Sequence, residues 1–187
     1  MNSRSTNAEK HIALYLVMQD KFDKSDNPKF NQIFEDFFND FQTLLKEFEV
    51  EKSLRVKDGI IITWPLKNGV CKLNCLSLPI AFQQLINTKS NYYHSKYGLT
   101  PKMSAVENIY EFEDIDSQRK EKSNLKKHLP ELITLSNLSK ASGKPFLVSG
   151  ELKSLCEADE HFNDMSIKHV KLPAEDLTIS IFSLESK

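Results

Sequence analysis

The sequence predicts an α+β sandwich, a mostly antiparallel sheet with helices on one face. Three observations carry that reading. Residues 11–18, "HIALYLVM", form an apolar run of strand length. Aromatic and aliphatic residues from Phe30 to Phe48 then recur at spacings of three and four, the signature of an amphipathic helix. An Asp-Gly pair at Asp58-Gly59 joins two further apolar segments, the strongest short-range signal for a β-hairpin.

Each element follows in order. The first strand runs into "QDKFDKSDNP", a polar, turn-rich connection, and Pro28 stands where a helix opens. The helical stripe of Phe30, Ile33, Phe34, Phe37, Phe41 and Leu45 is core packing rather than a cofactor box. Residues 51–57 and 59–63 are the hairpin strands, ended by Pro65 and by "KNG" at 67–69. Residues 71–97 read as one helical segment with Cys75, Leu78, Phe82, Leu85 and Ile86 on one face, kinked or broken at Pro79. After the loop "YGLTPK", residues 102–112 make a strand. The stretch "EFEDIDSQRKEKSNLKK" at 111–127 is charge-dense and poor in apolar residues, which predicts an exposed loop excursion. A helix over 129–140 with Pro130 in its first turn, a strand over 145–149, a short helix over 151–156 and a hairpin from 169–172 and 177–184 complete the order. No repeat, linker or second composition divides the chain. It reads as one domain over residues 1–187, with a core at about 12–184.

Composition excludes several function classes. Lysine and arginine number 25 against 26 acids, so no global basic field draws in nucleic acid. Tyr92 and Tyr93 beside Lys89 and Lys96 are one aromatic pair, too little for a base-stacking platform. No apolar stretch approaches the ~20 residues of a membrane span, and "MNSRSTNAEK" has no secretory h-region. Cys71, Cys75 and Cys156 are an odd, sparse set, the pattern of a reducing compartment, so the expected location is cytoplasmic. Cys71 and Cys75 lack a second Cys/His pair and read as buried thiols. The chain has no phosphate-binding loop, Rossmann fingerprint, H-E-x-x-H or EF-hand loop, and its five histidines are scattered.

Four segments in register carry a family resemblance: "FNQIFEDFFNDF", "LRVKDGIIITWPLKNG", "NYYHSKYGLTPK" and "GKPFLVSGELKSL". Together they resemble the bacterial class III adenylate/guanylate cyclase catalytic domain over nearly the whole chain. The resemblance implies a ferredoxin-like core, a dimer with the site at the subunit interface, and two aspartates holding two Mg²⁺ or Mn²⁺ ions. By it, Asp58 is the hairpin metal ligand, flanked by Lys57 and Gly59 where the family has Gly and Glu. Asp20 is the candidate first ligand, with Asp23 a poorer one. Lys120 or Lys122 falls near the base-reading lysine, and the purine-reading acid has no counterpart.

The family's H-x-G falls at Asn108-Ile109-Tyr110. Its G-D-x-x-N-x-x-A-R helix falls at "KKHLPELIT", with Pro130 at the asparagine and Thr134 at the arginine. Arg119 is the last arginine in the chain, so no shift of register restores the missing one. Losing one positioned transition-state charge typically costs ~10²–10³ in rate. The expectation is therefore a degenerate, catalytically inactive domain acting in signalling, dimerisation or regulation. It would pair with itself or with another cyclase-like domain, with no certain cofactor, and Asp58 would serve mainly as a turn residue. The alternatives are an active adenylate or other nucleotidyl cyclase using Asp20, Asp58 and two metals, and a nucleotide-binding sensor.

Overall fold

Eight consecutive residues of the first strand, His11 to Met18, are each no more than 7% exposed, which is why that segment lacks an alternating polar face. A computed structural model describes residues 8–18, 28–48, 50, 52–56, 59–66, 70–98, 102–113, 118–157, 165–169 and 181–186. Strand β1 (Ala8–Met18) lies inside a seven-stranded sheet ordered β2-β3-β1-β4-β5-β7-β6. The other strands are β2 (Lys52–Val56), β3 (Gly59–Pro65), β4 (Met103–Glu113), β5 (Phe146–Ser149), β6 (Met165–His169) and β7 (Ile181–Ser186). All pairings are antiparallel except β4 with β5.

Helices cover both faces of this sheet. Ile12, Leu14 and Leu16 point toward α1 (Pro28–Glu47) and α2 (Val70–Thr88), where Phe37 and Phe41 meet Phe82 edge-on at 4.6 and 4.5 Å. Beside them lie α3 (Ser90–Tyr97) and α5 (Gly150–Glu157), which contribute Tyr93 and Leu152 to the same core. Ala13, Tyr15 and Val17 point the other way, into a second core closed by Leu125, Leu132 and Leu135 of α4 (Gln118–Ser142). The α+β class and the mostly antiparallel sheet agree with the sequence. The one-faced arrangement of helices does not, because α4 crosses from β4 to its parallel neighbour β5 over the opposite face.

That helix is also the main correction to the element boundaries. The charged stretch at 111–127 divides between the end of β4 and the opening of α4, so Pro130 lies inside the helix. Leu125, Leu129, Leu132, Leu135 and Leu138 recur at helical spacing, and their burial holds the segment despite its charge. The 71–97 segment divides at Lys89 rather than at Pro79, which sits within α2. The terminal hairpin pairs 165–169 with 181–186, and residues 170–180, which carry part of its expected strands, lie outside the described residues.

At one end of the sheet, Val17 of β1 pairs with Gly59 of β3, and Val56 of β2 pairs with the same glycine. A Cβ on Gly59 would stand 2.1 Å from the Leu16 carbonyl oxygen and 2.9 Å from Cε2 of Tyr15. Only glycine lets the hairpin approach β1 this closely.

Candidate functional site

Two described chain ends meet where the resemblance would place metal ligands. β1 ends at Met18 beside Met103, one pair beyond Val17 and Gly59, and the hairpin's described ends are Val56 and Gly59. Asp20, Asp23, Lys57 and Asp58 themselves lie outside the described residues. Lys120 and Lys122 fall in the first turns of α4, and their side chains are likewise outside that description. Among the described residues, no group of three or more His, Cys, Asp or Glu side chains is arranged to hold a metal ion.

The structure does bring together the other positions that the resemblance singles out. Asn108, at the histidine of H-x-G, points to the α4 face of β4. Its Nδ2 donates to Oε1 of Glu131 on α4 at 3.0 Å, and its Oδ1 accepts from the Ile109 N–H at 2.8 Å. Tyr110, at the glycine of that motif, fills the adjacent space with a buried phenol, and burial raises its pKa well above the ordinary value. His128 stacks on Tyr110 with ring centroids 4.2 Å apart and lies 5.8 Å from Phe112, which stacks on His11 at 4.6 Å. Burial is the main cause lowering the pKa of His128. Lys127 adds to the shift, while a hydrogen bond at the Glu111 backbone and the charge of Glu131 oppose it. Pro130 and Thr134 are exposed on α4, and the Thr134 hydroxyl donates back to the Pro130 carbonyl at 3.0 Å.

This arrangement fastens a helix to a sheet. Where the resemblance calls for an amide and a guanidinium aimed at a ribose and a polyphosphate, the helix offers a proline, a carboxylate and a back-bonded threonine.

Several described cations near the helices are committed elsewhere. Arg55 on β2 forms a two-pronged pair with Glu35, and its guanidinium carbon lies 4.8 and 5.1 Å from the ring centres of Phe34 and Phe38. Lys89 pairs with Asp40. Lys96 donates to Asp36 at 2.6 Å, and Asp36 also accepts from Tyr92 at 3.0 Å and from Tyr97.

Sequence reasoning missed two polar features of β4. One is the Asn108–Glu131 pair, which joins residues 23 apart. The other is Glu107, fully buried on the opposite face between Leu14 and Val148, with no hydrogen-bond partner for either oxygen among the described residues. Burial raises its pKa well above the ordinary 4.5. The signal for it was a lone acid within "SAVENIY".

No protein-family model matches the chain, and no curated protein matches it in sequence. Solved structures do. The adenylyl cyclase CyaB from P. aeruginosa matches with a TM-score of 0.62 at 8% identity, over 96% of this chain and 95% of that one. The guanylyl cyclase Cya2 matches with a TM-score of 0.65 at 10% identity, over 96% and 93%. A non-canonical dimeric guanylyl cyclase domain of the RhoGC fusion protein from the aquatic fungus Blastocladiella emersonii gives 0.62 at 7%, over 96% and 95%. The chain has the fold of adenylyl and guanylyl cyclase catalytic domains.

Proposed function

We propose that this cyclase-fold domain does not turn over nucleoside triphosphates and acts by binding, as a signalling or dimerisation module. The observation that carries this reading is the contact between Asn108 and Glu131. It ties the strand position at which the resemblance has the H-x-G motif to an acid that follows Pro130, the position of the expected asparagine. Effects of positioned groups on catalysis are not additive, yet a chain lacking both the helix arginine and the asparagine retains little with which to stabilise a pentavalent phosphorus.

Asp20 and Asp58 are the residues that would hold divalent cations. The adjacency of the described ends at Val17 and Gly59 supports that assignment and is the observation favouring the active reading. Bound there, such ions would acidify a ribose hydroxyl and neutralise phosphate charge. The chain's own contribution would be two carboxylates at one sheet end, with Lys57 next to one of them.

That the Blastocladiella domain forms a dimer, a non-canonical one, supports pairing of this chain with itself or with a related domain. The test is incubation with Mn²⁺ and each of ATP, GTP, CTP and UTP, with mass spectrometry for cyclic products. No product is expected. A product that disappears in Asp58→Ala would overturn the proposal. A thermal shift with millimolar nucleotide but no turnover would move the reading to a nucleotide-binding sensor.

A further inference from the structure

Buried positions in the cross-strand rows on the α2 face of the sheet are filled by large side chains, with one exception among the described residues. In one row Ile62, Leu14, Glu107 and Val148 stand side by side. In the next, Ile60, Leu16, Ala105 and Phe146 do. Ala105 is the small member of its row, between two large neighbours, and the space above it forms part of a cavity of about 340 Å³ under α2. That volume lies in the range of small-molecule sites.

Two of the cavity walls are stiff. Pro79 within α2 and Pro145 ahead of β5 both line it. Phe82 contributes a ring whose position is fixed by edge-on contacts with Phe37 and Phe41. The polar part of the lining comes largely from one helical turn, the carboxamides of Gln83, Gln84 and Asn87. Gln83 Nε2 donates to Asn87 Oδ1 at 3.2 Å, which leaves the Gln83 carbonyl and the Asn87 amide hydrogens available side by side. No charged side chain is among the described lining residues.

We propose that this cavity is a binding site for a neutral, mainly apolar small molecule that carries one amide-like edge. The apolar floor takes the ring system. The carboxamide pair supplies one acceptor and one donor to the edge. Among the described lining residues no charged side chain would compensate a phosphate or carboxylate for lost hydration. The site is separate from the Asn108–Glu131 contact, which lies on the other face of the sheet.

The probes are oxindole, a neutral bicyclic lactam, and indane, the same frame without the amide. Each is titrated to millimolar concentration into protein carrying ¹³C-methyl Met and Ala, with ATP as an anionic control. Oxindole should shift the methyl signals of Met103 and Ala105 and bind about threefold to tenfold more tightly than indane, the worth of a net hydrogen bond. Ala105→Leu should abolish the shift at Met103, with folding checked by the fluorescence of buried Trp64. Asn87→Leu, at an exposed position, should reduce oxindole binding to the indane level and serves if Ala105→Leu does not fold. The proposal is overturned if neither probe shifts these methyls, if indane binds as tightly as oxindole, if ATP moves the same signals, or if Ala105→Leu still binds.

Discussion

Glu107 sets the pH response of the core. Its folded pKa stands above the ordinary 4.5, so it is protonated in the fold where the unfolded chain ionises. Its contribution is fully present below that ordinary value and is lost as pH rises toward the folded one, at about 1.4 kcal/mol per unit. Glu107→Gln cannot ionise. Its stability relative to the parent should therefore climb as pH rises above 4.5, measured by urea unfolding at each pH, and parallel curves would contradict the assignment. Gly59 gives a second test. Gly59→Ala drives a methyl into the rigid Leu16 carbonyl and should cost about 2–3 kcal/mol, read as a lower urea midpoint at unchanged slope. From the sequence, Asp58-Gly59 was legible as a turn. That its glycine is required by a neighbouring strand was not, because the close approach comes from pairing with β1.

Among elements, α3 is held to α1 largely by polar contacts around Asp36, which accepts from Lys96, Tyr92 and Tyr97. Those hydrogen bonds, led by Lys96, keep its carboxyl below the ordinary 3.8. The stabilisation is present above that value and fades as pH falls through the lower folded one. Asp36→Ala should cost about 1–2 kcal/mol, with faster hydrogen exchange confined to 90–97. Helix α1 and the hairpin were legible because their apolar periodicities are strong and local. Helix α4 was not, because in its first two turns Leu125 is the one apolar residue among charged and polar ones. Its docking partner, β4, is also remote in sequence from its second half. The candidate site was half legible for the same reason. The absence of an arginine after Arg119 can be read from residue types, and Asp20 and Asp58 lie outside the described residues, whereas the Asn108–Glu131 closure exists only once helix and strand meet.

At the scale of the molecule, pairing with a like domain predicts a mass of twice the 21.5 kDa chain by light scattering at high concentration. A monomer there would leave only a different partner. The sheet itself imposes an order on synthesis. β1 lies between β3 and β4, and both are translated after it. At the ~5–20 residues per second of a working ribosome, the span from Met18 to Glu113 takes roughly 5–20 s. Until Pro65 is made the segment "HIALYLVM" has neither flanking strand to pair with, and until Glu113 is made it lacks β4; it is the kind of sticky, β-forming stretch that aggregates. The centre of this sheet therefore exists before its two sides, and its exposure lasts as long as they take to be made.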